Sequence, residues 1–363
     1  MHDVSNGPSP ESSPIPPSIT TLIPTFNRPQ LLRRAVKSVL CQTYPHVRVC
    51  VYADVAGEET MDVLKKLAQE DARVHYHRHS SRLGIARNYL FGMEHVETPY
   101  FSFLGDDDVL LPHLYERAME GFRQYPRAAF SALATVLVHP RDRVAVVRGG
   151  WQPGLYEPPE GLQKMLELLP PQWTGVVFRR ELLDQVGVLD PEVGNALDND
   201  YLYRVAAHFP IAISVEPGAL FMVHAGSATV QSHLPEIWPG WLKMIRNLTE
   251  DDKIPLEVRD LAARVLTQWI KGILFMSSGV RAVMANRCEE ARSSAEILAK
   301  EFQEEKKAAR LRLLASAQLA FPPMGKLMSL ALACRRKLRL IWDAEYRRQR
   351  MCYLAYDKYL SFS

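Results

Sequence analysis

Cysteine is scarce in this 363-residue sequence, and the cysteines present follow no recognisable spacing. The five residues are odd in number and include no CxxC pair, which argues against a disulfide framework and against a structural zinc site. Reduced thiols are typical of the cytoplasm, so we expect a cytoplasmic protein.

Long apolar runs and a large excess of one charge are also missing. The most apolar stretches, 265–280 and 327–334, are interrupted by Lys271 or are too short to cross a bilayer of about 30 Å, so we expect no transmembrane helix. Lys and Arg number 44 against 41 Asp and Glu, which gives no reason to expect a nucleic acid partner. Residues 1–17 are rich in Pro and Ser without the pattern of a signal peptide, and we expect a disordered tail there.

Short apolar runs alternate with helical patterns, an order typical of a parallel sheet with crossover helices. A strand expected at 19–24 is followed by Asn27, which stands where a helix N-cap belongs, with Pro29 in the first turn. We expect a Rossmann-like α/β domain over 18–231, with a mostly parallel central sheet and flanking helices. The long, charged helical patterns that follow predict an α-helical C-terminal region over 232–363.

The later part of the α/β domain is less regular. Residues 149–159 have the Gly and Pro content of a loop. A helix is expected over 198–208, and the apolar runs 211–215 and 220–223 predict two separate strands.

Three consecutive carboxylates, Asp106, Asp107 and Asp108, follow an apolar strand pattern at 100–104. Ligands of open α/β sheets bind outside the carboxyl ends of the strands, so this is the position of a binding site. Adjacent carboxylates raise one another's pKa and need positive compensation, which a divalent cation shared with substrate phosphates would supply. The alternative is a solvated turn ahead of the next helix, since aspartates favour helix N-termini.

Four separated motifs carry a resemblance to a known family. They are Pro24-Thr25-Phe26-Asn27-Arg28, Gln42-Thr43-Tyr44-Pro45, Gly84-Ile85-Ala86-Arg87-Asn88, and Phe103-Leu104-Gly105-Asp106-Asp107-Asp108 followed by Leu111-Pro112. In order and spacing they resemble family 2 glycosyltransferases, which have the GT-A fold and use nucleotide sugars. The resemblance spans residues 18–231.

The resemblance implies roles for the matched residues. The aspartate cluster would bind a divalent metal, Mn²⁺ or Mg²⁺, that bridges the donor's diphosphate, with Asp107 as the first ligand and Asp108 as the second. Many GT-A relatives complete the metal shell with a histidine near the position of His224, for which a structural role is the alternative. The implied donor-binding residues are Pro24, Thr25, Asn27, Arg28, Asp54, Arg82, Asp106 and Asp107.

Two positions depart from the family's pattern. The second strand of the family usually ends in two acidic residues that hold the base and ribose, whereas this chain has Ala53-Asp54. Gly105 replaces the first acid of the cluster. The choice among UDP-, GDP- and dTDP-sugars is therefore open. Arg82 matches a position where the family often places a basic residue near the nucleotide, and surface solvation is its alternative.

A second acidic segment, Leu197-Asp198-Asn199-Asp200-Tyr201, resembles the part of the family that carries the catalytic base. Residues two apart on a helix point in different directions, so Asp198 and Asp200 cannot both face one site. The resemblance favours Asp198 as the base, with Asp200 capping the helix or pairing with a basic side chain such as Arg204. In the alternative, both aspartates only cap the helix.

The implied reaction is direct displacement at the anomeric carbon, which inverts configuration; retention is the alternative. The enzyme would be of the hexosyltransferase type. Trp151 and Trp173 are expected in the core, although one of them could lie under a sugar or acceptor ring. A nucleotidyltransferase and a GT-A scaffold without activity are the competing functions. Surface polysaccharide or glycoconjugate synthesis would suit the expected reaction.

The C-terminal region is locally basic. Residues 303–350 contain twelve Lys and Arg against four acidic residues, beside an apolar stripe at helical spacing. This pattern is typical of an amphipathic helix on an anionic membrane and would suit a lipid-linked or glycan acceptor at the inner face of the membrane. The alternatives are a helix packed on the catalytic domain and a homodimer interface.

Overall fold

The computed structural model describes most of the chain. It covers residues 17–141, 143–147, 149–224, 234–342 and 344–360, and within these it leaves out the side chains of 234–236, 333 and 335–347. The tail expected over 1–17 therefore lies almost wholly outside the described residues.

The first third of the chain alternates strands and helices, as its hydrophobic pattern predicts. The elements are β1 (Ile19–Thr25), α1 (Pro29–Leu40), β2 (Val47–Ala53), α2 (Glu58–Glu70), β3 (Val74–Arg78), α3 (Ile85–Glu94), β4 (Tyr100–Phe103), β5 (Val109–Leu110) and α4 (Leu114–Gln124). Strands β3, β2, β1 and β4 lie side by side and pair in parallel. Their carboxyl ends therefore meet at one edge of the sheet.

The rest of the sheet is mixed. Its elements are β6 (Phe130–His139), β7 (Val144–Val147), β8 (Gly154–Tyr156), α5 (Glu160–Leu168), a 3₁₀ turn (Trp173–Gly175), β9 (Val176–Arg179), α6 (Leu182–Gln185), a second 3₁₀ segment (Pro191–Ala196), α7 (Leu197–His208) and β10 (Ile211–Met222). The ten described strands follow the order β3-β2-β1-β4-β9-β6-β10-β5, with β7 beside β6 and β8 beside β10. Strand β9 is antiparallel to both β4 and β6. The expected parallel arrangement thus holds for the first half of the sheet.

Three local predictions were wrong. The N-cap position of α1 is Arg28, while Asn27 adopts a left-handed conformation (φ 52°) that asparagine tolerates, and its side chain accepts the N–H of Gly57 at 2.7 Å. The expected loop over 149–159 contains β8, which pairs with β10. Strand β10 is continuous, because register irregularities near Pro217 keep it in the sheet.

The C-terminal region is helical, as expected. Its elements are α8 (Leu234–Thr249), α9 (Leu256–Phe275), a π turn (Met276–Val280), α10 (Arg281–Met284), α11 (Cys288–Lys300), α12 (Glu305–Ala320), α13 (Pro323–Trp342) and α14 (Ala344–Leu360). A single apolar cluster runs from Tyr201 of α7 through Trp241 and Leu266 to Leu311. Tyr353 of α14 packs against β6 and β10. The two regions share a core, and the boundary expected near residue 231 stays a prediction.

Membrane contact of residues 303–350 also stays a prediction. None of the described helices has the combined length and hydropathy to cross a bilayer. Helices α12 and α13 and the turn between them expose several large apolar side chains, which are Leu313, Leu319, Phe321, Leu327, Leu330 and Leu332. The basic side chains of 335–339 that would accompany them lie outside the described part of the chain.

Gly240 shows how closely α8 approaches the second 3₁₀ segment. A Cβ atom at this position would lie 2.6 Å from the carbonyl oxygen of Val193, and that backbone atom cannot yield easily. We expect Gly240→Ala to lower the free energy of unfolding by about 2 kcal/mol, measured by urea denaturation.

Gly272 provides the matched control. It lies in helix α9, and among the described residues no neighbouring element has an atom within 4 Å of the Cβ that alanine would add. Gly272→Ala should therefore stabilise the protein by about 0.5–1 kcal/mol through helix propensity. Equal stability of the two variants would contradict the close approach at Gly240.

Candidate active site at the carboxyl ends of the strands

A cleft of about 880 Å³ lies at the carboxyl ends of the central strands. Strand β1 and the turn after it supply Pro24 and Arg28, and the turn after β4 supplies Asp106 to Asp108. Helix α7 supplies Asp198 to the same cleft. The fold therefore brings together the two acidic segments that the sequence singles out.

Asp106 is buried against the end of β1. Its carboxylate accepts hydrogen bonds from the Thr25 hydroxyl at 2.8 Å and from the Arg28 guanidinium at 3.1 Å. Burial raises the pKa of the Asp106 carboxyl to about 6, and the Arg28 guanidinium opposes this shift.

Asp107 is held by a different set of groups. Its Oδ2 atom accepts a hydrogen bond from Arg28 at 2.9 Å and lies 3.0 Å from Nε2 of His224. Its backbone carbonyl accepts a hydrogen bond of 2.6 Å from Arg34. One carboxylate oxygen and one imidazole nitrogen therefore meet at the cleft, beside the cationic Arg28.

Asp108 points into the protein. Its Oδ2 accepts from the Thr174 hydroxyl at 3.0 Å, and its Oδ1 accepts from the backbone N–H of Met222 at 2.9 Å. Burial raises the pKa of Asp108 well above its usual range, and the neighbouring Asp107 adds to the rise. This carboxyl group links the end of β4 to the first 3₁₀ turn and to β10. Its role as the second metal ligand stays a prediction.

The donor set fits a divalent cation through two side chains. The described residues contain no group of three or more His, Cys, Asp or Glu side chains arranged around one point. Asp107 and His224, however, place an oxygen and a nitrogen 3.0 Å apart, a spacing that lets both ligate one ion at about 2.1 Å each. Magnesium-type sites often take only one or two protein ligands and complete the shell with substrate phosphates.

Arg34 is a residue of the site that no sequence motif marked. Besides its bond to the Asp107 carbonyl, its Nε atom is buried and has no hydrogen-bond partner within the described residues. Burial lowers the pKa of Arg34, and the carboxylates of Asp108 and Asp107 oppose that shift. Arg33 and Arg34 are indistinguishable in the sequence, so only the packing of α1 identifies the one that faces the cluster.

The remaining expected donor-binding residues lie beside the cleft. Asp54 is buried and accepts the backbone N–H groups of Leu83 at 2.7 Å and Gly84 at 2.9 Å, which fixes the turn that begins α3. The Arg82 guanidinium lies over the ring of Phe26 at 4.3 Å. Neither Asp54 nor Arg82 lines the cleft, and their roles toward a nucleotide base stay predictions.

The two carboxylates of the second acidic segment lie in different environments. Asp198 lines the cleft, and its Oδ1 accepts the N–H of Asn199 at 2.8 Å. Asp200 is buried, accepting hydrogen bonds from Arg204 and from Asn247 of α8, both at 2.8 Å. The predicted pairing of Asp200 with Arg204 is confirmed. Burial raises the pKa of Asp200, and Arg204 opposes the rise.

The two tryptophans occupy different places. Trp173 lines the cleft and stacks on Phe103, with ring centroids 4.4 Å apart. Trp151 lies instead beside a separate, mostly apolar cavity of about 470 Å³, where its indole N–H donates to the Leu169 carbonyl at 3.2 Å. Gln172 lines both cavities, so they adjoin. The structure therefore brings Trp173, and not Trp151, to the acidic residues.

Residues 20–187 match the model of the family described as glycosyl transferase family 2. The matched segment is a little under half of the chain, and it is this segment that resembles the family. Among curated relatives, an uncharacterised glycosyltransferase of Rickettsia felis is 22% identical over 259 residues, which cover 66% of this chain and 40% of that protein. The GalNAc(5)-diNAcBac-PP-undecaprenol beta-1,3-glucosyltransferase of Campylobacter jejuni is 31% identical over 111 residues, 29% of this chain and 36% of the relative. The matched part of this chain thus spans well under half the length of either relative.

Solved structures confirm the GT-A fold. Staphylococcus aureus TarS 1-349 in complex with UDP-GlcNAc superposes with a TM-score of 0.60 at 12% identity, covering 84% of this chain and 91% of TarS 1-349. The mannosyltransferase PcManGT of Pyrobaculum calidifontis, in complex with GDP-Man and Mn²⁺, gives 0.50 at 15% identity and covers 91% of this chain and 89% of its own. At such low identity these likenesses concern the fold.

The hydrogen bond from Thr174 to Asp108 is expected to stabilise the fold. Thr174→Val keeps the shape of the side chain but leaves a buried carboxyl oxygen without its donor. We expect the free energy of unfolding to fall by about 2 kcal/mol in urea titrations.

Thr135 is a matched control, because it is also buried but its hydroxyl has no hydrogen-bond partner among the described residues. Thr135→Val should leave the stability unchanged or raise it slightly. A loss of the same size in both variants would show that the Thr174 hydroxyl has no special role.

Proposed function

We propose that this protein is a glycosyltransferase that moves a sugar from a nucleoside-diphosphate sugar to an acceptor hydroxyl with inversion at the anomeric carbon. The observation that carries the proposal is the single cleft lined by Arg28, the Asp106–Asp108 cluster and Asp198. Structural neighbours bound to UDP-GlcNAc and GDP-Man support a nucleotide-sugar donor.

In the proposed reaction, Asp198 acts as the general base. Its carboxylate takes the proton of the acceptor hydroxyl while the acceptor oxygen forms a bond to the anomeric carbon. The bond from the anomeric carbon to the diphosphate oxygen breaks, and the nucleoside diphosphate leaves with the electron pair. A well-placed base of this kind contributes roughly 10² to 10⁴ in rate.

Arg28 and the aspartates meet the leaving group in this proposal. Arg28 lies 2.9 Å from Asp107 and 3.1 Å from Asp106, so it is anchored at the cleft as a fixed positive charge beside the departing diphosphate. Asp107 and His224 would hold a Mn²⁺ or Mg²⁺ ion, which would act as a Lewis acid on the diphosphate. The Mn²⁺ in the PcManGT complex supports this assignment.

Two kinds of observation support a polysaccharide or glycoconjugate acceptor. The Campylobacter relative is a glucosyltransferase acting on an undecaprenol-linked glycan, and a Bacillus subtilis relative is named as a putative teichuronic acid biosynthesis enzyme. The exposed apolar side chains of α12 and α13 would suit peripheral contact with the inner face of a membrane that carries such an acceptor.

The two aspartates of α7 provide the sharpest test of the reaction. Asp198→Asn should lower kcat by about 10² to 10⁴ with little change in melting temperature, because asparagine keeps the oxygen that accepts from the N–H of Asn199 but cannot take a proton from the acceptor. Asp200→Asn should lower the free energy of unfolding by about 3 kcal/mol, since it weakens a buried pair with Arg204. Release of nucleoside diphosphate from UDP-, GDP- and dTDP-sugars measures activity, and the anomeric configuration of the product measures inversion. Full turnover by Asp198→Asn would refute its role as the base.

Metal binding is tested separately from turnover. EDTA should abolish activity, and Mn²⁺ titrations followed by electron paramagnetic resonance should show that Asp107→Asn and His224→Ala each weaken Mn²⁺ affinity by more than about tenfold. His75→Ala, on the exposed strand β3, is the control and should bind the ion like the wild type. Unchanged Mn²⁺ affinity in both cleft variants would exclude this pair as the metal site.

A further inference from the structure

Tyr89 is a residue of the cleft to which neither the motifs nor the proposed reaction assigns a task. It lies on α3, lines the cleft and is only 3% exposed. Its ring is fixed by an edge contact with Phe103 at 5.3 Å and with Trp173 at 4.7 Å. The preceding residue, Asn88, anchors the helix through bonds to the Tyr52 carbonyl at 2.9 Å and to His79 at 3.0 Å. The side chain of Tyr89 is therefore held in one position.

The hydroxyl of Tyr89 makes no hydrogen bond within the part of the chain that the structure describes. The hydroxyl oxygen is not sealed off by protein atoms, unlike that of Tyr201, so water or a ligand in the cleft completes its hydrogen bonding. Tyr89 borders the cleft, so a ligand can reach it.

The surroundings of Tyr89 define what the hydroxyl can offer. Burial raises the pKa of Tyr89 well above its usual range, and the carboxyl groups of Asp108, Asp106, Asp107 and Asp198 add to the rise. The phenol therefore keeps its proton and acts as a hydrogen-bond donor. The first three carboxyl groups belong to the leaving-group side of the cleft, and Asp198 belongs to the acceptor side.

A sugar hydroxyl matches this environment better than a phosphate does. It can accept a hydrogen bond from Tyr89 and at the same time donate one to a carboxylate. A phosphate oxygen only accepts, so it has no proton to donate to a carboxylate beside Tyr89. The adjoining aromatic rings of Tyr89 and Trp173 also offer an apolar surface to the C–H groups of a sugar ring.

We propose that the hydroxyl of Tyr89 donates a hydrogen bond to the sugar that is transferred, and that Tyr89 is therefore a sugar-contacting residue of the donor site. The proposal rests on the function proposed above, since it places the sugar between the aspartate cluster and Asp198. It assigns to α3 a part in recognising the sugar rather than the nucleotide.

The test compares donor sugars with the corresponding nucleoside diphosphates. Calorimetric titrations of wild type and Tyr89→Phe would use UDP-GlcNAc, UDP-glucose and GDP-mannose, and UDP and GDP, all with Mn²⁺. Tyr89→Phe should weaken binding of the preferred nucleotide sugar about tenfold, the effect of one lost hydrogen bond, and should leave the affinity for UDP or GDP unchanged within about twofold.

Tyr201 offers a matched control variant. Its hydroxyl is also without a hydrogen-bond partner among the described residues, but it is sealed in the core rather than placed on the cleft. Tyr201→Phe should leave the affinity for every nucleotide sugar unchanged and should keep or raise the melting temperature. Tyr89→Phe should also keep the wild-type melting temperature, which excludes unfolding as the cause of weaker binding.

Each other outcome overturns a defined part of the proposal. If Tyr89→Phe binds the nucleotide sugar as tightly as the wild type, Tyr89 does not contact the sugar. An equal loss of affinity for the nucleotide sugar and for the nucleoside diphosphate would move the contact to the diphosphate and refute the sugar assignment. If the wild type binds none of these compounds, the proposed function itself fails, and the role of Tyr89 fails with it.

Discussion

Three adjacent carboxyl groups at the end of β4 can lie side by side because partners from different elements hold each of them. Asp106 is bonded by Thr25 and Arg28, at the end of β1 and just after it. Asp107 shares Arg28 and meets His224, which follows β10. Asp108 is bonded by the first 3₁₀ turn and by the backbone of β10. The cluster therefore joins the parallel half of the sheet to the mixed half, and the arrangement that neutralises its charge also shapes the cleft.

The parallel half of the fold could be predicted from the sequence, because alternating apolar patterns determine which elements form and consecutive βα units pair in one way. The mixed half could not. The apolar pattern of a short strand such as β9 is the same for parallel and antiparallel pairing. Which of the two forms depends on neighbours far away in the chain. The continuity of β10 depends likewise on a bulge near Pro217 that keeps the strand against β6.

The acidic residues of the candidate site could be predicted from the sequence, but their different contacts and burial could not. In the sequence, three consecutive aspartates look equivalent. In the structure, Asp106 and Asp108 are buried at 7% and 2% exposure, with raised pKa values, while Asp107 meets His224 beside the cleft. The sequence does not single out Arg34 or Tyr89, because neither belongs to a motif. Their importance comes from packing, which presents one arginine of a pair to the cluster and turns one tyrosine toward the cleft.

The C-terminal helices act on the cleft indirectly, through their contacts with α7, the helix that carries Asp198 and Asp200. Two residues after Asp198, Asp200 is fixed by Arg204 on its own helix and by Asn247 of α8. Helix α8 also presses its Gly240 backbone against the 3₁₀ segment that leads directly into α7. Because residues two apart on a helix point in different directions, fixing Asp200 in the interior determines the direction of Asp198. The C-terminal helices therefore set the orientation of the proposed base while contributing no carboxylate to the cleft among the residues described.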